Sequence, residues 1–385
     1  MRSRITILSI AVLLSMASPS FSSEKAAYRY NKEGMEYMNA GKYQKAIESF
    51  KTAQNYMPSN ETIVKNLMVA YNNYGFQLKQ GGELYLAIEQ FENALFYDER
   101  SPYTHYNLGQ AYYLTQDITK AKQNLEAALR LKPDLEGARR LLSKIKREEQ
   151  VETKFQTINT MHFIIGFSEF APIDEVSYVK TYLEEAYGKI GIFLDYYPTQ
   201  KTVVILYPEG AYDQVVKGKP QWSHGVFDGK IRLPASKYKY STEDVVRIIY
   251  HEYAHVVLSG LTRGNCPNWF NEGIASKAED YAHYRDREII QKYIERFGLV
   301  PIPDIPGNLG SIRDRQKATL MYIESYLVIE YILKRAGNSG LQLILKALRN
   351  GYSLRNAIES LFKESLENFN RKWYRFVIDE FRIST

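Results

Sequence analysis

The chain has 385 residues, 45% hydrophobic and 24% charged, without a low-complexity tract; this excludes a disordered or fibrous class and allows two or three domains with cores of their own. The formal net charge of +6 is spread along the sequence instead of gathered on one basic face, which argues against a nucleic-acid partner. Cys266 is the single cysteine, so no internal disulfide can form and the fold must be held without one.

The first residues are Met1-Arg-Ser-Arg, followed by a nearly unbroken apolar run from Ile5 to Met16 and small residues from Ala17 to Ser23. This order of positive, apolar and small-residue regions predicts a signal peptide over 1–22, cleaved after Ser22. The apolar run is short for a bilayer span, and no later segment is long and apolar enough to cross one. The expected location is the periplasm or outside the cell, with an uncleaved membrane anchor as the alternative.

The next third of the chain is repetitive. Gly34, Tyr37, Ala46, Phe50, Ala53 and Pro58 recur at identical offsets as Gly109, Tyr112, Ala121, Leu125, Ala128 and Pro133. Between them lie Leu67, Tyr71, Ala87, Phe91 and Ala94 in the same order, with seven extra residues around Gly81-Gly82. Small residues fall where two helices would touch and large ones where a gap needs filling. The pattern resembles the tetratricopeptide repeat (TPR), with departures at Glu33, Met68 and His105; His105 reads as a packing residue. The resemblance implies an all-α TPR solenoid of three repeats and a capping helix over 23–150, with a concave face that takes a peptide or protein partner. The Arg139–Arg147 cluster reads as a solvated helix end, and Glu148 to Lys154 as a polar linker.

Beyond it the pattern changes. Strands are predicted over Thr160–Phe167, Thr202–Tyr207 and Gly225–Leu233, the last with a turn or bulge at Asp228-Gly229. A helix is expected over Glu175–Ile192. Another should run from Thr242 to Ser259, with Ser241 as N-cap and Glu243 and Asp244 in its first turn. A further helix runs from Pro267 to about Arg285, then a proline-marked loop at Pro301, Pro303 and Pro306. Helices starting near Arg315, Gly340 and Ser365, with a shorter one near Ser353, complete the chain.

The chemistry is concentrated in His251-Glu252-Tyr253-Ala254-His255. On a helix, positions i and i+4 share a face, so two imidazoles can bind one ion while Glu252 reaches water beside it. Zinc needs a third protein ligand and an open position. Leu258 and Leu261 stand where a third histidine layout would need Gly and His. The segment Asn268-Trp-Phe-Asn-Glu272-Gly-Ile-Ala275 instead offers Glu272, 17 residues after His255, on the next helix. Trp269 can pack behind the metal helix, and Gly273 and Ala275 permit close helix contact. Cys266 reads as a small buried apolar residue, not a ligand.

These residues resemble the gluzincin metallopeptidases, in particular the small bacterial peptidase MA-like domains with Trp-x-x-Glu-Gly-x-Ala after the HExxH helix. The resemblance covers about 155–380. It implies an α+β zincin-like domain: a catalytic subdomain over 155–285 with a small mixed sheet and an active-site helix, then a helical subdomain over 286–385. It further implies zinc on His251, His255 and Glu272, Glu252 as general base, and GVFDGKIRLP as an edge strand that pairs with substrate backbone. Tyr322 is the candidate oxyanion donor, Tyr326 its rival and His224 a weaker one; His162 and His283 have no motif around them. The expected function is peptide-bond hydrolysis, the repeats recruiting substrate or partner. The alternative is a TPR scaffold with a catalytically silent metallopeptidase-like domain.

Overall fold

A computed structural model describes residues 21–208, 210–216, 226–227, 229–234, 242–281 and 287–381. The segment 1–20, His224, Asp228, Ser241 and His283 lie outside the described residues. The chain forms two compact units: residues up to 74 together with 90–100, and 75–89 together with 101–385.

The helices begin with α1 (Phe21–Asn39), α2 (Tyr43–Tyr56), α3 (Glu61–Gln80) and α4 (Leu84–Tyr97). In the first unit Ala46, Phe50, Ala53, Leu67, Tyr71 and Ala94 join one buried cluster, at the positions the repeat pattern assigns to helix contacts. In the second unit the third repeat is α5 (Pro102–Leu114) and α6 (Ile118–Leu131), capped by Ser101 and Asp117 at their N-termini. His105 bonds Asn124 through Nδ1 at 2.9 Å, a packing role.

The capping helix α7 runs from Glu136 through Glu152. The predicted linker is therefore incorrect: most of it is the end of α7. Arg139 and Arg140 are exposed as expected, but Glu148 is buried on the same face as Ala138 and Ile145. A charge-rich sequence cannot distinguish residues solvated by water from residues solvated by counter-charges of the protein, and here the second case holds.

The sheet has order β1-β2-β3-β5-β4, with β1 (Phe155–Asn159), β2 (Phe163–Ser168), β3 (Thr202–Tyr207), β4 (Val226–Phe227) and β5 (Ile231–Pro234). The inner pairs β2–β3 and β3–β5 are parallel, and the outer pairs are antiparallel. The single strand predicted over Gly225–Leu233 is thus a hairpin, turned at Gly229, whose φ of 100° suits glycine. The unpredicted β1 is a polar edge strand without the run of apolar residues that marks β3.

Every residue of β3 is buried, because both faces of the sheet are covered. Val204 and Leu206, with Ile231 and Leu233 of β5, join the main core beneath α8 (Ile173–Leu194). Val203, Ile205 and Tyr207 form a second cluster with Val151 of α7 and with Tyr212 and Val215 of the short α9 (Ala211–Val215).

The remaining helices are α10 (Thr242–Thr262), α11 (Asn268–Ala278), α12 (Arg287–Phe297), α13 (Arg315–Arg349), α14 (Leu354–Phe362) and α15 (Leu366–Phe381). The helix expected to reach Arg285 stops at Ala278 and passes into a 3-10 turn over Glu279–Tyr281, and α12 was not predicted. The helix start expected near Gly340 is a break at Gly337 within α13 (φ 63°, ψ −173°). Among the described residues no helix is long and apolar enough to cross a membrane.

This layering yields a first test. A chain beginning at residue 152 would strip α7 from the sheet, taking Glu148 from Lys230 and Arg232 and uncovering the apolar face around Val203, Ile205 and Tyr207. It should be insoluble, whereas one beginning at Gly75, which keeps all of the second unit, should be soluble and show a cooperative melt. A stable, folded protein from residue 152 onward would show that α7 is dispensable.

Candidate metal centre

Helix α10 is apolar on most sides. Ile249, Tyr250, Tyr253, Ala254, Val257 and Leu258 are all buried, and Glu243 and Asp244 face the positive N-terminal dipole. The open side carries His251 and His255, one turn apart and partly exposed. Glu252 beside them is 5% exposed. Arg263 (φ 54°) and Gly264 (φ 72°) end the helix in left-handed conformation and reverse the chain. Helix α11 then returns alongside α10, buries Trp269, Phe270 and Ile274, and turns Glu272 toward the histidines.

The three side chains converge. Glu272 Oε2 lies 3.4 Å from His251 Nε2 and 3.6 Å from His255 Nε2. The candidate ligand atoms all lie within 4.8 Å of one another, and among the described residues this is the group able to hold a metal ion. A tetrahedral zinc with bonds of about 2.0–2.1 Å would hold its ligand atoms about 3.4 Å apart, so the donor set fits.

Both imidazoles are oriented through their other nitrogen. His251 Nδ1 is 2.8 Å from Glu279 Oε1, and His255 Nδ1 is 2.7 Å from Asn271 Oδ1. A carboxylate and an amide oxygen only accept, so each Nδ1 carries a hydrogen, which leaves Nε2, the nitrogen nearest Glu272, as the one able to bind an ion. Arg247, one turn before His251, donates to Glu279 Oε2 at 2.7 Å and keeps that carboxylate in place. Sequence reasoning missed Glu279, Asn271 and Arg247. Two signals were present: Asn271 directly precedes Glu272, and Glu279 follows it by two turns.

The carboxylates around His251 favour positive charge at this point. Burial alone would pull the His251 imidazolium down, but the flanking carboxylates of Glu272 and Glu279 outweigh it and hold its pKa up to about 10. A divalent ion satisfies the same carboxylates with both imidazoles neutral.

Tyr322 on α13 stands at the site. Its hydroxyl hydrogen-bonds Glu272, and burial, followed by the charges of Glu272 and Glu252, pushes its pKa well above the usual phenol range. Gly273 makes this approach geometrically accessible: a Cβ there would lie 2.5 Å from the Ser325 carbonyl oxygen of α13. Tyr326 is elsewhere, buried and donating to Asp280 Oδ2 at 2.9 Å. His162 pairs with Glu184 at 2.5 Å and stacks on Tyr187, apart from the ligand set. Cys266 packs against the core, and burial pushes its thiol up.

The fold is that of a zincin-like α+β domain following helical repeats in the chain, and comparison with known families agrees. Residues 235–379 match the Peptidase MA superfamily. Residues 27–60, 75–116 and 102–135 match tetratricopeptide repeat families. The chain therefore carries a Peptidase MA superfamily domain and TPR repeats. It is 22% identical over 231 residues to the uncharacterized protein YhcO of Bacillus subtilis (strain 168), covering 57% of this chain and 62% of that protein. The chain thus spans about three-fifths of the length of that relative. Among solved structures it is similar to the first TPR of Spaghetti (RPAP3) bound to an HSP90 peptide, at 24% identity and a TM-score of 0.26, over 33% of this chain and 95% of that one. It is likewise similar to the Sgt2 TPR domain from Aspergillus fumigatus, at 24% identity and a TM-score of 0.24, over 34% and 82% of the two chains.

If Glu279 orients His251, Glu279→Gln should weaken zinc binding about 10–100-fold, read by competition with a chelating dye. Unchanged affinity would leave Glu279 without a part in the site.

Proposed function

We propose that this chain is a zinc-dependent metallopeptidase of the gluzincin type, hydrolysing peptide bonds in exported proteins or peptides, with its TPR repeats recruiting substrate or partner. The observation that carries the reading is the convergence of His251 Nε2, His255 Nε2 and Glu272 Oε2, with Glu252 and Tyr322 beside them. Two imidazoles, one carboxylate and no thiolate are a donor set for a catalytic zinc, not for a closed structural one. The charged and apolar pattern of residues 1–22 supports export to the periplasm or beyond.

His251, His255 and Glu272 would hold the ion, which when bound acidifies a water and polarises a carbonyl. Glu252 follows His251 on the helix, so its carboxylate projects beside the ligand set and not into it. It accepts the proton of the attacking water and returns it to the leaving amine. Tyr322, protonated at physiological pH, donates to the negative charge that develops on the carbonyl oxygen. Glu279, Asn271 and Arg247 keep both imidazoles in the required tautomer.

Two substitutions separate these roles. Glu252→Gln should leave zinc content and melting temperature near wild type and lower hydrolysis of a proteome-derived peptide library about 10³-fold or more. Equally slow wild-type and variant hydrolysis would favour a catalytically silent scaffold, and loss of zinc would make Glu252 a ligand. Tyr322→Phe should lower kcat about 10²–10³-fold with KM nearly unchanged, and full activity would sink its role as donor.

A further inference from the structure

A buried charge cluster that this chemistry does not use joins the third repeat to the sheet. Lys230, just before β5, and Arg232 within it are each 1% exposed, and both face Glu148 of α7, 3% exposed. Arg232 Nη2 donates to Glu148 Oε1 at 2.6 Å and to the Tyr113 hydroxyl of α5 at 2.7 Å. That hydroxyl lies 2.7 and 2.9 Å from the two oxygens of Glu148. Lys230 Nζ is 3.4 Å from Glu148 Oε2 and 4.6 Å above the Tyr113 ring. One turn further along α7, Glu152 bonds the Tyr207 hydroxyl of β3. At the hairpin turn, a Cβ on Gly229 would collide with Leu114 of α5.

These contacts act on the strand pair nearest the metal helix. Both β4 and β5 pack on α10. Ile231 and Leu233 point into the core under α10, while Lys230 and Arg232 point to the repeat. A one-residue slip of β5 along β3 would exchange these faces and drive two cations into the apolar core without a counter-charge. The network therefore fixes the register of β5. It also fixes β4, because Val226 pairs with Arg232 and Phe227 with Ile231. Among the described residues β4 is the outermost strand and pairs through one edge alone, and an outer edge is the feature to which an extended peptide adds.

We propose that Glu148 and Tyr113, from the third repeat and its cap, are positioning residues for peptide binding: through Arg232 and Lys230 they set where the β4 edge stands over α10. The proposal deepens the metallopeptidase reading and rests on it. The third repeat is then part of the peptide-binding apparatus, not only a recruiting arm.

The test uses the full chain loaded with zinc and two probes. Acetohydroxamate engages the metal alone, whereas a leucyl-leucyl hydroxamate also lays peptide backbone along the edge. In Glu148→Gln and Tyr113→Phe, zinc content and acetohydroxamate affinity should match wild type. The peptidyl hydroxamate should bind about tenfold or more weakly, because the edge is no longer preorganised. Amide hydrogens of 226–234 should exchange about tenfold or more faster by mass spectrometry. Tyr113→Phe removes only a hydroxyl, so it decides the matter if Glu148→Gln does not fold. Unchanged exchange and unchanged peptidyl hydroxamate affinity would overturn the proposal, as would equal weakening of both hydroxamates. Failure of wild type to bind either probe would count against the metallopeptidase reading instead, and the exchange measurement would still decide whether α7 positions the hairpin.

Discussion

Two histidines on one helix can share an ion only if both turn a lone pair toward the same point, and this constraint organises the second unit. The i, i+4 spacing on α10 sets the distance, and the orientation comes from α11. Asn271 and Glu279 take the two Nδ1 hydrogens while Glu272 supplies the facing oxygen. One short segment can provide all three because Arg263 and Gly264 reverse the chain within a few residues. Gly273 then lets α13 approach until Tyr322 meets Glu272. The core behind α10 is dense and apolar, which gives the imidazoles a rigid support.

The same arrangement concentrates negative charge. Glu272 and Glu279 flank His251, Glu252 lies beside it, and Arg247 pairs with Glu279 on the outer side. In a partly desolvated pocket these carboxylates repel one another unless a cation joins them. An apolar site of the same shape would be more stable and would have no use for an ion. The partial exposure that remains at His251, His255 and Glu272 leaves the group open to solvent.

How much of this the sequence showed depends on how local each feature is. His251, Glu252 and His255 are a one-turn pattern, and Glu272 follows after a single reversal, so both were legible. The repeat positions were legible because packing of paired helices is periodic. Glu279 was not, because it reaches His251 from a 3-10 turn where helix was expected, and no spacing rule joins it to Arg247. The strand β1 was missed because an edge strand needs no apolar face. The hairpin was read as one strand because a turn and a bulge at Gly229 look alike until the register is known.

The misread linker shows a deeper limit. Alternation of Lys230 and Arg232 with Ile231 and Leu233 is the ordinary signature of a strand with one wet face, and the run from Glu148 onward is that of a wet connector. Both readings assume that water solvates the charges. Here each polar stretch is the other's solvent: two cations of the sheet and a carboxylate of the repeat neutralise one another out of water. Such a pairing leaves no trace in either segment alone, because burial changes where a charged residue lies and not which residue it is. Repeats found by sequence period are therefore units of pattern, and the physical unit is drawn by what must be buried together. By that criterion the third repeat belongs with the sheet, and the contacts of the chain place it there together with residues 75–89.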